Sequence, residues 1–263
     1  MQKKKIILAA IPIVSFLLLW EIAARLEWVN PILFPAPTRT VAELVNLFEK
    51  GLPVRSELVS HILATLNRLG ISFAIGVALG VILGIAMGLK NNIFHFFNPL
   101  ISVLMPIPGI ALAPLVIIWL GFSDSTVISL GALSTFFPVV YSTATGIRSV
   151  NQQLVRAARI MGANKIQVVR DVFIPWSAAY FLNGMKLGLA RGWMTIIAVE
   201  FVAASKYGLG LMIWHASEYL QAGIVYGGIL LMILIFLVFD KLIIKAIEDR
   251  TIVKWGMITQ KQP

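Results

Sequence analysis

The chain has 263 residues and no cysteine, so it forms no disulfide, no thiolate metal site and no cysteine nucleophile. Its three histidines are scattered and give no metal-ligand spacing. Charge is scarce: 13% of residues, with 12 acidic against 22 basic. There is no Gly-x-x-x-x-Gly-Lys-Ser/Thr loop, so ATP has no phosphate loop to occupy. Histidine, aspartate and glutamate do not cluster within apolar runs, as a membrane-embedded catalyst would require. No catalytic residue, metal ligand or bound cofactor is therefore expected.

What the chain has in abundance is apolar sequence. Hydrophobic residues make up 59% and the mean hydropathy is +0.88, whereas soluble domains are about 45–50% apolar. A helix needs about 20 mostly apolar residues to cross a bilayer. The pattern predicts an all-α, polytopic bundle of about six spans. A net charge of +10 in a soluble protein would suggest nucleic acid. In a membrane chain it reads as basic cytoplasmic loops, and no nucleic-acid partner is expected.

The first apolar run is Ile6 to Trp20, extending to about Ala24, after Lys3, Lys4 and Lys5. Trp20, Glu21 and Arg25 stand where a cleavage site would need small residues, so a retained helix is expected. Pro31, Pro35 and Pro37 then break the chain. Thr38 to Lys50 reads as a surface helix capped by Thr38 or Thr40, with a further turn at 53–61. The second span, about 66–89, carries Gly76, Gly80, Gly84 and Gly88. The fifth, about 178–204, carries Gly184, Gly188 and Gly192. Glycines four apart share one helix face and admit a neighbouring helix closely.

The third span, about 99–120, is interrupted by Pro106, Pro108, Gly109 and Pro114. Irregular backbone at membrane depth survives only beside protein or a water-filled cavity. This span is expected inside the bundle near the pathway. The fourth, about 126–147, has hydroxyls at Ser134, Thr135, Ser142, Thr143 and Thr145; they either face solute or bond their own backbone. The sixth covers about 223–242. Residues 1–60 form a first helix and connector, 61–247 a five-span core that includes the 148–177 loop, and 248–263 a tail.

With both termini placed inside, fourteen of the 22 Lys and Arg lie on the inner side and six outside: Arg25, Arg39, Lys50, Arg55, Arg68 and Lys206. Lys186 and Arg191 fall within the fifth span. The bias predicts cytoplasmic termini and a cytoplasmic 151–175 loop. Ionisable residues within spans usually face the bundle or water. Arg191 and Glu200 are nine positions apart, too far to pair along one helix. The candidate pathway set is Pro108, Ser134, Thr135, Arg191, Thr195 and Glu200, with Arg191 meeting an anionic solute. The structural alternative pairs Glu200 near the outer surface and Arg191 with another helix.

In the 151–175 loop, Leu154, Ala157, Ala158 and Met161 recur at helical spacing. Gly162 ends that helix and Ala163 follows. Ile166, Val169 and Phe173 make a second stripe, and Pro175 resets the chain. Two short helices too small to fold alone need the bundle on one side and a partner on the other. Ala157-Ala158, Gly162, Val172, Ile174 and Pro175 resemble the EAA loop of bacterial ABC importer permeases: Glu-Ala-Ala, three residues, Gly, nine residues, Ile, one residue, Leu-Pro. Arg156 stands where that pattern has Glu, which bears on any salt bridge there and not on docking.

Further segments resemble the nitrate, sulfonate and taurine branch. They include Leu19-Trp20-Glu21, residues 33–38, 106–115 and 118–121, Phe137-Pro138, Gly146-Ile147-Arg148 and Ala198-Val199-Glu200. The resemblance implies a type I ABC importer permease in the bacterial cytoplasmic membrane, working as a dimer. It implies two ATPase subunits, which carry ATP and Mg, on coupling helices at Leu154–Ala163. It also implies an external solute-binding protein delivering a small anion such as a sulfonate, taurine or nitrate. A vitamin-precursor solute is the alternative. An ion-driven carrier would show paired broken helices in two repeated halves, and only one broken span is evident.

Overall fold

The computed structural model describes residues 2–49, 56–204 and 206–250, and every regular element among them is a helix. The helices are α1 (Gln2–Arg25), α2 (Pro37–Glu49), α3 (Ser56–Leu89), α4 (Asn91–Leu104), a 3₁₀ turn (Gly109–Leu112) leading into α5 (Ala113–Leu120), and α6 (Asp124–Arg148). After them come α7 (Gln152–Ile160), α8 (Lys165–Val168), α9 (Ile174–Ala203), α10 (Leu209–Glu218) and α11 (Ala222–Arg250). The side chains of Lys3, Lys4 and Lys5, the residues Lys50 and Arg55, and the tail beyond Arg250 fall outside the described residues. α3 begins at Ser56, so the described part of the expected 53–61 turn is the first turns of a long helix.

Among the described residues three helices are long and apolar enough to cross a bilayer: 58–89, 124–148 and 222–241. Asn91–Leu104 and Gly109–Leu120 make a fourth if counted together, bent by 93° at the break. α1 and α9 have span length, 24 and 30 residues. α9 also carries Lys186, Arg191 and Glu200. The expectation that the broken segment lies inside the bundle is not met within one chain. Its buried residues are Ile101 and Ala113, while Val103, Ile118 and Trp119 are exposed. One flank packs on the chain and the other is open.

The chain divides into two compact units, Met1–Leu63 with Tyr207–Leu234 and Ala64–Lys206 with Ile235–Pro263. In the first, the end of α1 is tied to α2. The Trp20 indole donates to Pro35 O at 3.1 Å and its ring packs against Phe34 and Tyr226. Glu21 accepts from Thr38 N at 3.1 Å and Thr38 Oγ1 at 2.8 Å. The cap of α2 is thus supplied by Glu21, not by Thr38 or Thr40; helix α2 begins at Pro37, so both threonines already lie inside it. α11 meets α2 through Gly223 and Gly227, beside Glu43 and Leu44, and meets α10 through Gly228 against Ile213.

The second unit is organised around α6, in which fifteen of 25 residues are buried. On one side a Cβ added at Gly76, Gly80, Gly84 or Gly88 would come within 2.6–2.8 Å of Thr135, Val139, Thr143 and Ile147 respectively. Both series rise together, so α3 and α6 run parallel. A crossing in the opposite sense must intervene, and the broken segment supplies it. On the other side Gly184, Gly188 and Gly192 approach Ser142, Val139 and Thr135 in falling order, so α9 runs antiparallel to α6. Two glycine ladders therefore clamp one central helix, the close approach that lipid-embedded packing relies on.

A Gly84→Val substitution places its Cβ 2.6 Å from the Thr143 Cβ. Overpacking of this kind costs about 1–3 kcal/mol and is expected to lower the melting temperature of the detergent-purified protein. Gly70→Ala is the control. A Cβ there meets nothing within 4 Å, and removing a mid-helix glycine is worth up to about 1 kcal/mol.

Candidate functional site

A cavity of about 360 Å³ opens at the break between α4 and α5. The elbow 105–110 forms one wall, with Ser134 and Phe137 from α6 and Arg191, Met194 and Thr195 from α9 opposite. The elbow sits close because Gly109 has no side chain: a Cβ there would lie 2.5 Å from both Ser134 Oγ and Thr195 Cγ2. Thr195 Oγ1 donates to Ser134 Oγ at 2.9 Å, joining α9 to α6 beneath the elbow. Arg191 Nη1 donates to Met105 O at 3.0 Å, at the C-terminal end of α4. A cation there complements the negative end of the helix dipole. The arginine is exposed, and no carboxylate is within salt-bridge distance of it among the described residues. Its positive charge remains available to the cavity.

Of the six candidate pathway residues, Pro108, Ser134, Arg191 and Thr195 line this one cavity. Thr135 does not: it is buried between α6 and α9 and donates to Gly188 O at 3.2 Å. The α6 hydroxyls fit neither alternative alone. Ser134 faces the cavity, while Thr135, Ser142 and Thr143 lie buried against the glycine ladders of neighbouring helices.

Glu200 also lies elsewhere. It is fully buried and accepts from Arg68 Nη1 at 2.7 Å and from Thr65 Oγ1 at 2.9 Å. Arg68, 2% exposed, donates to Asp124 Oδ1 through Nη2 at 2.6 Å and Nε at 3.1 Å. One guanidinium thus joins α3, the start of α6 and α9. Arg68 does not belong with the external-loop charges of the sequence count, because burial beside two carboxylates makes it part of the helix core. Its signal is a polar stripe, Thr65, Arg68 and Ser72, that continues the face of Gly76, Gly80, Gly84 and Gly88 at helical spacing.

In the 151–175 loop, the Asn151 side chain caps α7 by accepting from Gln153 N at 2.9 Å. Gly162 ends α7 at φ +87°, and Ala163 N bonds back to Ala158 O at 3.0 Å. That left-handed turn explains glycine at this position. Asn164 and Gln167 form a reciprocal capping box that starts α8. Pro175 opens α9, but the chain does not break before it. Residues 169–173 form a π turn and the junction stays helical. A proline lacks an N–H and crowds the preceding turn, and a π turn is a usual accommodation.

The buried face of the loop is Val150, Val155, Ala158 and Val168, which make a small core with Ala163, Val172 and Phe173. Of the stripe read from sequence only Ala158 is buried. Leu154, Ala157 and Met161 face outward, as does Arg156. Ile160, Met161 and Ile166 are 87%, 81% and 79% exposed. The loop completes its own core and leaves an apolar patch uncovered.

Residues 76–253 match the family described as "Binding-protein-dependent transport system inner membrane component", more than half of the chain. The chain belongs to this family. It is 31% identical over 213 residues to the taurine transport system permease protein TauC of Escherichia coli (strain K12), covering 81% of this chain and 77% of TauC. It is 35% identical over 218 residues to the protein described as "Putative aliphatic sulfonates transport permease protein SsuC" of the same organism, covering 83% and 81%. The formylaminopyrimidine transport permease protein ThiX of Halalkalibacterium halodurans is 30% identical over 202 residues, covering 76% and 78%. In structure the chain is similar to one in the inward-facing MetNI methionine ABC transporter, with TM-score 0.62 and 18% identity, covering 72% of this chain and 95% of that one.

The fold is therefore that of a type I ABC importer permease. The family members are integral inner-membrane subunits that carry no catalysis themselves and work with a separate ATPase and a binding protein. An ion-coupled carrier is set aside on that ground.

Proposed function

We propose that two copies of this permease enclose a pathway for a small organic anion of the sulfonate class, with both termini in the cytoplasm. An external binding protein delivers the solute. Two ATPase subunits, holding ATP and Mg, dock on the 151–175 loops. The observation that carries the reading is Arg191, a cation at mid-helix, exposed to a cavity and without an acidic partner among the described residues. A charge within a span is tolerated where it faces water, a solute or a partner. The Ser134–Thr195 hydroxyl pair adds hydrogen-bonding groups of the kind a sulfonate oxygen accepts from. The relatives named for taurine and sulfonates support the same class. The open flank of α4 and α5 is where the second copy fits, and the uncovered patch at Ile160, Met161 and Ile166 is where the ATPase fits.

A second reading has one observation in its favour. The cavity walls include Met105, Ile107, Phe137 and Met194, which suit an uncharged heterocycle such as a vitamin precursor, and ThiX is among the relatives. The two readings separate in a reconstituted complex by solute-stimulated ATPase activity. Taurine or a short alkyl sulfonate is expected to stimulate, and Arg191→Met to reduce that stimulation at least about tenfold, the worth of one charge-assisted hydrogen bond. Stimulation by a neutral formylaminopyrimidine alone, untouched by Arg191→Met, would favour the second reading.

A further inference from the structure

A second cavity, of about 470 Å³, lies between α4 and α6 toward the 151–175 loop. Asn98 and Ser102 line it from α4, and Tyr141, Thr145 and Arg148 from α6. These positions recur at three- and four-residue spacing, so each helix presents one polar stripe. Both helices continue toward the first cavity. Met105 follows Ser102 by three on α4, and Phe137 and Ser134 precede Tyr141 by four and seven on α6. The two cavities have no lining residue in common; Met105 and Phe137, packed with buried Ile101 in one apolar cluster, stand between them as a constriction.

Tyr141, Thr145 and Arg148 are exposed on a helix whose intervening residues Ser142, Thr143, Ala144, Gly146 and Ile147 are buried. A polar stripe with an arginine is costly against hydrocarbon, so this face belongs to water. Arg148 is also held in place. Its guanidinium lies 4.0 Å over the Phe94 ring and Nη1 donates to Asn91 Oδ1 at 2.8 Å. Both partners are neutral, so the positive charge is positioned without being cancelled.

We infer that this second cavity is a groove forming the exit half of the pathway, and that Arg148 is an anion site receiving solute from the Arg191 cavity, past the Met105–Phe137 constriction, before release. The inference rests on the sidedness and anionic solute proposed above. Arg148 marks its inner end, and Ser102, Tyr141 and Thr145 give an arriving oxyanion hydrogen-bond donors beside it. The exposure of Arg148 suits brief occupancy, which a release site requires.

Because the chain has no cysteine, a single Thr145→Cys in the full-length protein, reconstituted with its ATPase partner, reports on the groove without background from this chain. The probes are two methanethiosulfonate reagents, one bearing a sulfonate and one a trimethylammonium group. Rates are referred to those of a small neutral thiol. The sulfonate reagent is expected to be favoured by about tenfold, the order that a focused cationic cleft gives. Adding Arg148→Gln is expected to bring the ratio close to one. Failure of both reagents would mean that lipid or protein covers the stripe, and would overturn the inference. So would equal labelling by the two, or a preference that survives Arg148→Gln. Labelling does not depend on the transported solute. Charge-selective labelling in a system that takes up no taurine would support the groove and count against the sulfonate reading.

Discussion

Glutamate at both Ile160 and Met161 is expected to abolish association of the ATPase subunit while leaving the permease folded. Both side chains are over 80% exposed, so the chain's own fold loses nothing when they change. A docked ATPase would lose two large apolar contacts, each worth about 1.5–3 kcal/mol when buried. It would also have to bury two unpaired carboxylates, which costs more again. The combined loss exceeds about 3 kcal/mol, or more than about a hundredfold in affinity. Affinity measured in lipid nanodiscs checks this, with the melting temperature as the control for folding. Undiminished affinity would place the docking surface elsewhere.

Arg68→Met is expected to be the most destabilising single change in the core. It would leave Glu200 fully buried without its cation, and breaking such a pair by removing one partner costs about 3–5 kcal/mol. Asp124, half-exposed, keeps water as an alternative partner and suffers less. The pair Arg68→Met with Glu200→Leu is expected to recover much of the loss, because an apolar replacement of both partners leaves no stranded charge. Melting temperatures of the three purified variants test this. Equal destabilisation by the single and double changes would mean that shape, not charge, holds the three helices.

Much of this architecture was legible before any coordinates. Glycines four apart in two apolar runs announced close helix packing, and both ladders meet α6. What the residues could not say was that one helix serves both ladders, because a glycine face names no partner. The break at Pro106 and Pro108 was legible for the same kind of reason: two prolines and a glycine exclude a continuous helix. The cavity it creates was only half legible. Arg191 and Ser134 share it, whereas Glu200 and Thr135 have identical sequence credentials and are spent on packing. Helix periodicity orders residues along one helix but does not assign a face to a neighbour.

Arg68 shows the opposite failure. It lies within the stretch 66–89 read as a span, yet a charge near a helix end is easily counted with the loop. The stripe of Thr65, Arg68 and Ser72 in line with the glycines was the available clue. In the 151–175 loop, positive φ at Gly162 followed from its place after an apolar helix. The inward choice of Val155 and Val168 over Leu154 and Ile166 did not, because two overlapping apolar stripes on helices this short are equivalent until tertiary packing selects one.

On the proposed function, an ATPase docked on the 151–175 loop drives a small organic anion past Arg191. Uptake of labelled taurine into proteoliposomes tests it most directly. The vesicles would hold the permease and its ATPase with ATP trapped on the ATPase side, and the binding protein would be supplied on the other. The expected result is ATP-dependent accumulation that Arg191→Met abolishes and Arg191→Lys partly restores. Accumulation that ignores ATP and follows an ion gradient, or that Arg191→Met leaves unchanged, would contradict it.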